Sequence, residues 1–355
     1  MIHVPFSESE LEIIGSFKGG SFIRRESARF RTPATPLENY NAMARRDDPL
    51  WMPNSETLDF CPSIFPDNIA RGAVSEAVIP AERGGLDMFG LDWEFMESAG
   101  GSMVKQGLTL FDDVNDWESK VVFPDIESWD WSGCAERNKD YLADRSVPII
   151  MTIFTGCFER LISFMGFENA AIALIDDDQK EAVQALFTRL FDLYICMIDK
   201  SIEYFHPTGI VFHDDWGSQM APFFSKGTYR EMILPHMQRI VAYCHEKGLT
   251  FELHSCGHTE SMIEEIIKIG ADMWRPQPMN DIHTLYRNWG DKISFGVLST
   301  TVPMGETEEE NIRAAQELVR MFSEPGKYVY MAARTETLAF RKALYEASRK
   351  AWHKG

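Results

Sequence analysis

His254 and Cys256, within Phe251-Glu252-Leu253-His254-Ser255-Cys256-Gly257-His258, set an imidazole and a thiol two residues apart where an apolar strand is expected to run into a glycine turn. Side chains two apart on a strand share a face, so this pair can converge on one ion with Cα atoms roughly 6–7 Å apart. Zinc accepts such a nitrogen and sulfur pair, and one open coordination position would make it a Lewis acid. The same pattern also describes a buried thiol beside a satisfied histidine. The elements around the pair have to decide between the two.

Other polar residues follow apolar runs in the same manner. His213-Asp214-Asp215-Trp216-Gly217-Ser218-Gln219 comes directly after Gly209–Phe212. Adjacent carboxylates on a strand face opposite ways, so at most one of Asp214 and Asp215 lines a pocket unless the strand has ended. If His213 and Asp215 share a face, they could serve as ligand and acid/base; a helix-capping Asp followed by a turn at Gly217 is the other reading. Glu252 shares the face of His254 but lies roughly 13 Å from Cys256 along an extended strand. It is therefore better placed to orient an imidazole than to bind the ion itself. In Trp274-Arg275-Pro276-Gln277-Pro278 two prolines bracket Gln277 and restrict its backbone, which suits a side chain held for hydrogen bonding. Arg334, after Tyr328–Ala332, could bind an anion or pair with a surface acid. No glycine-rich phosphate loop, serine nucleophile elbow or His-Glu-x-x-His helix is present, which disfavours hydride transfer, kinase and standard metalloprotease chemistry.

Eight short apolar runs could carry these residues: Pro49–Pro53, Leu86–Phe95, Val147–Thr155, Gly209–His213, Thr250–His254, Ala271–Trp274, Ile293–Leu298 and Tyr328–Ala332. Amphipathic helical stretches such as Ala170–Phe205 and Lys226–Lys247 separate them. This alternation predicts an α/β fold, a (β/α)8 TIM barrel with the functional residues in the loops after the strands; an open doubly wound sheet is the competitor. Residues 1–46 are expected to form an N-terminal helical arm, with a helix near Leu37–Ala44, and residues 47–355 the barrel. The stretch at about 100–144, with Trp117, Trp129, Trp131 and many acids, is expected to be an irregular insertion over one barrel end.

The chain has 355 residues, 45% of them apolar, enough for a large core. A net charge of −19 argues against nucleic acid and acidic membrane surfaces as partners. Six scattered cysteines, no basic-then-apolar leader in Met1–Gly20 and no apolar run of spanning length lead us to expect a cytoplasmic protein.

Four stretches carry a family likeness: Met88–Val122, Gly156-Cys157-Phe158-Glu159-Arg160-Leu161 through Met165-Gly166-Phe167, His213–Gln219 and His254–His258. Together they resemble the uroporphyrinogen decarboxylase superfamily. The nearest branch contains the corrinoid-dependent methyltransferases, whose His-x-Cys and a distant second cysteine bind catalytic zinc in a (β/α)8 barrel. The decarboxylases themselves are less similar, because their arginine-containing N-terminal signature has no counterpart in Asp47-Asp48-Pro49-Leu50-Trp51-Met52-Pro53. The chain also departs from the methyltransferases: no cysteine follows Cys256, and Tyr330-Met331-Ala332-Ala333 stands where the second would lie.

The resemblance implies zinc on His254 and Cys256, with Glu252 as a further ligand or an orienting partner. One thiolate with nitrogen and oxygen ligands makes a harder ion than two thiolates, and a harder ion suits an oxygen leaving group. The implied reaction moves the methyl of an oxygen donor, such as a phenyl methyl ether, to Co(I) of a corrinoid. Asp214 or Asp215 would stabilise or protonate the departing oxygen. Trp93, Trp216 and Trp274 could wall an aromatic site, with Gln277 and Arg334 binding substrate. Because no Asp-x-His-x-x-Gly cobalamin motif occurs, the corrinoid would arrive on a separate protein. Two alternatives stay open: a decarboxylase or other lyase, with Arg275 or Arg334 holding a carboxylate and an Asp protonating the carbanion, or a non-catalytic paralogue that binds a corrinoid protein. Monomer and homodimer are equally compatible with the sequence.

Overall fold

In the computed structural model, residues 4–17, 27–54, 56–65, 84–97, 101–332 and 337–352 are described. The strands are β1 (Ile13–Phe17), β2 (Ser27–Phe30), β3 (Leu58–Phe60), β4 (Gly85–Leu86), β5 (Asp92–Met96), β6 (Gly101–Val104), β7 (Ile149–Ile153), β8 (Gly209–His213), β9 (Thr250–Ser255), β10 (Met273–Pro276), β11 (Ser294–Val297) and β12 (Val329–Met331). Seven of them form one sheet in the order β12-β11-β10-β9-β8-β7-β3, and every neighbouring pair is parallel. The ends of that order are tied together. Asn54, just ahead of β3, bridges Met331, whose N–H donates to the Pro53 carbonyl at 2.8 Å. The sheet therefore curls into a TIM-barrel-like α/β fold. β7 and β8 are continuous apolar runs because both faces are covered, one by the barrel interior and one by helices.

Strand alternation divides each strand between those faces. Ile150, Val211, Met273, Tyr328 and Tyr330 point inward, and Tyr40, Met43 and Ala44 of the helix Pro36–Arg45 pack against this group from the N-terminal end. Thr35 and Glu38 cap that helix reciprocally, with Pro36 in its first turn. Ser294 donates to its Met43 carbonyl at 2.8 Å. The plug leaves the other end of the barrel, where the strands finish, for chemistry.

Several boundaries differ from the sequence expectation. Leu86–Phe95 is not a barrel strand: Gly90, at φ 81°, turns the chain, and β4, β5 and β6 make a separate antiparallel sheet whose Asp92 and Glu94 suit an exposed face. Pro49–Pro53 precedes the first barrel strand instead of forming it, since its prolines cannot donate to a ladder. The N-terminal arm carries the expected helix but also the antiparallel pair β1–β2. The stretch after residue 100 starts with β6 and continues through short helices, Trp117–Lys120 and Trp131–Asn138, with Trp117 and Trp131 buried. No helix among the described residues is long and apolar enough to cross a membrane.

The antiparallel sheet is fastened to the barrel by a buried ion pair. Arg160, on the helix Cys157–Met165 that follows β7, donates to Asp87 at 2.8 Å, and both side chains are fully buried. Asp87 also accepts from the backbone of Phe89 and Leu91 and from the Trp93 indole. Removing one partner of a buried pair strands the other charge and costs about 3–5 kcal/mol. Because Asp87 keeps three other donors, Arg160→Met is expected to lose about 3 kcal/mol, read as a lower urea midpoint. An unchanged midpoint would show that this pair does not carry the junction.

Candidate metal centre

The parallel register of β8 and β9 sets His213 directly opposite His254. Both side chains point into the barrel at its C-terminal end, and their rings stack with centroids 4.7 Å apart and an interplanar angle of 22°. Each ring has its Nδ1 occupied. His213 Nδ1 lies 2.9 Å from Glu159 Oε2, and His254 Nδ1 lies 2.9 Å from the Arg275 carbonyl oxygen, which can only accept. With Nδ1 engaged on both rings, Nε2 is the nitrogen each ring turns toward the site, the usual arrangement for metal-binding imidazoles. The two Nε2 atoms converge on Cys256 Sγ, at 3.9 Å from His213 and 3.6 Å from His254.

These distances test the fit of an ion. Zinc bonds of about 2.0 Å to nitrogen and 2.3 Å to sulfur at a tetrahedral angle put N···S at about 3.5 Å. His254 Nε2 lies close to that spacing from the sulfur and His213 Nε2 a little beyond it, and the three residues bring donors of the right chemistry within 4.8 Å of one another. Among the described residues, the second group of this kind, Glu159, His213 and Asp215, shares His213 with the first.

Glu159 is positioned by an unusual helix start. Asp214 points away from the barrel interior and is fully buried. It accepts from the backbone N–H groups of Phe158 at 3.2 Å and Glu159 at 2.9 Å, and from Trp216 Nε1 at 2.9 Å. A carboxylate is favourable at the positive end of a helix. Gly156 makes the approach possible, since a Cβ there would lie 2.3 Å from that of Asp214. Burial raises the Asp214 pKa to about 6 despite the three donors.

Asp215, its neighbour, points the other way, into the site. Its Oδ1 accepts the Cys256 N–H at 2.7 Å and lies 3.5 Å from His213 Nε2. Burial pushes the Glu159 carboxyl up to about 8, and the Asp215 charge adds to the push. Burial opposes a charge on His213, but Glu159 and Asp215 outweigh it and hold its pKa well above the ordinary histidine value. Glu159 and His213 are thus a coupled pair that shares a proton across 2.9 Å. Burial pushes the Cys256 thiol up to about 11.

Gln277 completes the shell around the sulfur. Its Oε1 accepts the Gly257 N–H at 2.7 Å, and its Nε2 donates to Cys256 Sγ at 3.0 Å. Gly257, at φ 93°, passes so close to the loop after β8 that a Cβ would lie 2.2 Å from the Gly217 carbonyl oxygen. A cavity of about 310 Å³ opens beside Gln277, lined also by Pro276, Gly296, Leu298 and Thr300.

The remaining candidates lie elsewhere. Glu252 is buried one layer deeper and pairs with the Arg275 guanidinium at 2.6 Å; the Arg275 carbonyl, not Glu252, is the group on His254 Nδ1. The three tryptophans form no common wall. Trp93 belongs to β5 and bonds Asp87, Trp216 is fully buried on Asp214 and Tyr229, and Trp274 points outward from β10 against Phe295. Trp216 and Trp274 sit outside the barrel interior, where aromatic bulk covers the strands, and Trp93 lies in the separate antiparallel sheet. Asp214 is likewise a helix anchor that faces away from the site. Arg334 falls outside the described residues. Glu159 escaped the sequence reading, although it follows β7 as His213 ends β8.

The uroporphyrinogen decarboxylase (URO-D) family model matches residues 83–333, and the chain belongs to that family. Among curated proteins none matches it in sequence. Of solved structures, it is similar to a methyltransferase from Methanosarcina mazei, with a TM-score of 0.59 and 14% identity over 89% of this chain and 98% of that one. A likeness at that identity concerns the fold.

If the three donors act together, removing any one must weaken the site as a whole. Titrated with zinc against a competing chelator, the wild-type protein is expected to take one ion per chain. Alanine at His213, His254 or Cys256 is expected to weaken binding by more than a hundredfold. Glu159→Gln is expected to cost about ten- to a hundredfold, the usual price of losing a group that orients a metal-binding imidazole. Full affinity in His213→Ala would remove that residue from the ligand set.

Proposed function

We propose that this protein is a zinc-dependent methyltransferase that moves a methyl group from an oxygen donor of the phenyl methyl ether class to Co(I) of a corrinoid carried by a separate protein. The observation that carries the reading is the convergence of His213 Nε2, His254 Nε2 and Cys256 Sγ at the strand ends of a barrel in the URO-D family. When bound, zinc supplies Lewis acidity toward an oxygen atom. His213, His254 and Cys256 would hold it, leaving one position open.

The chain's own groups then have definite tasks. The C–O bond of the ether breaks as a Co–C bond forms, and the departing oxygen keeps the electron pair and needs charge neutralised or a proton. Asp215, half-buried and facing the site, is our candidate for accepting and passing on a proton at that oxygen. Glu159 fixes the His213 tautomer, and the Arg275 carbonyl fixes that of His254. The cavity beside Gln277, with apolar Leu298 and Met321 and polar Asn280, Thr300 and Thr301 in its lining, is large enough for a small aromatic ring. Of the two arginines the lyase alternative offers for a substrate carboxylate, Arg275 already pairs with buried Glu252, and Arg334 lies outside the described residues.

The test is to incubate the zinc-loaded protein with cob(I)alamin and methoxylated aromatics and follow methylcobalamin by its absorbance. Methylcobalamin is expected only with enzyme and ether together, and His254→Ala is expected to lower the rate at least a hundredfold. Asp215→Asn is expected to lower the rate about a hundredfold, in the usual range for loss of a group that moves a proton in the transition state. Failure to form methylcobalamin from methyl ethers, methanol or methylamines would leave the lyase or binding alternatives.

A further inference from the structure

Among the described residues, Gln277 is the amide that bonds the sulfur of the candidate centre, and it is held there from both sides. Its Oε1 is fixed by the Gly257 N–H at 2.7 Å, so the amide cannot flip without losing that bond. The orientation forces its Nε2 toward Cys256 Sγ, at 3.0 Å. Pro276 and Pro278 restrict the backbone on either side. Asp215 fixes the other side of the same residue by accepting the Cys256 N–H. The sulfur is therefore surrounded by built contacts, one of which donates a hydrogen bond to it.

A hydrogen bond donated to a thiolate draws electron density off the sulfur and weakens what it gives to a metal. With one thiolate in the ligand set, that sulfur is the softest and most electron-rich donor available. Gln277 is the group that moderates it.

We infer that Gln277 is a positioning residue that sets the donor strength of Cys256 and so biases the site toward oxygen-bound methyl donors over thiols. This rests on the metal reading above and extends it to substrate choice. The amide neither binds the ion nor touches the methyl group; it acts through the sulfur. A substrate thiol would need a more electron-rich ion to stay reactive as a thiolate, whereas an ether oxygen needs the more acidic one.

The experiment replaces zinc with cobalt(II) and compares wild type with Gln277→Met, which removes the donor at similar length, and Gln277→Glu, which keeps an acceptor for Gly257. Wild type is expected to show a sulfur-to-cobalt charge-transfer band in the near ultraviolet and tetrahedral bands in the visible. In both variants the charge-transfer band is expected to move to longer wavelength while the tetrahedral bands persist. In the zinc-loaded variants, iodoacetamide is expected to alkylate Cys256 about tenfold faster, as loss of a charge-assisted hydrogen bond implies. Band and rate both unchanged in the two variants, with one metal per chain still bound, would overturn the role of Gln277 and leave the metal site standing. A wild-type protein that binds cobalt without a charge-transfer band, or binds none, would overturn the metal site and the inference with it.

Discussion

The in-register pairing of β8 with β9 is the constraint on which the site depends. It places His213 against His254 on one face of the sheet, and the period-two alternation then brings Cys256 and Asp215 to the same face one step further along. A slip of one residue in that pairing would turn His213 into the helix layer and bring Asp214 inward. The register is secured by the apolar residues between, Ile210 and Phe212 on the outer face of β8 and Phe251 and Leu253 on that of β9, all of them buried. Packing of hydrophobic side chains outside the barrel thus determines which polar atoms meet inside it.

A second consequence of the barrel is that polar groups are stacked in layers under little water. Glu252 and Arg275 neutralise one another beneath the site, and above them Glu159, His213 and Asp215 crowd around the donor cluster. Burial disfavours the charged form of Glu159 and the nearby Asp215 charge adds to it, so the Glu159 pKa rises to about 8. A cation placed among the three donors would relieve that repulsion. Structure-based arguments usually treat such buried acids as a cost. Here the cost and the proposed function have a common origin.

Some of this arrangement is legible in the chain itself. The strand-helix alternation from Val147 onward, the same-face placement of His254 and Cys256, and the rule that only one of Asp214 and Asp215 lines the site all follow from period-two geometry. His213 shows locally as a possible ligand beside Asp215, but its meeting with His254, like the role of Glu159, depends on which strands are neighbours, and no local pattern encodes that. The tryptophans misled for a related reason: their positions next to strand ends are visible in sequence, but the face each one occupies is set by parity, and that parity points Trp274 outward. Leu86–Phe95 was apolar enough for a barrel strand, yet Gly90 splits it into a hairpin. Pro276 and Pro278 point to Gln277 as a held amide in the sequence, while its contact with a sulfur on the adjacent strand requires the fold.

The central claim is that two imidazoles and one thiolate share a zinc ion. X-ray absorption at the zinc edge of the purified, zinc-loaded protein tests it most directly. The account predicts one sulfur at about 2.3 Å and two imidazole nitrogens at about 2.0 Å, with the rest of the shell from nitrogen or oxygen. A shell without sulfur, with two sulfurs, or with a single imidazole would contradict it.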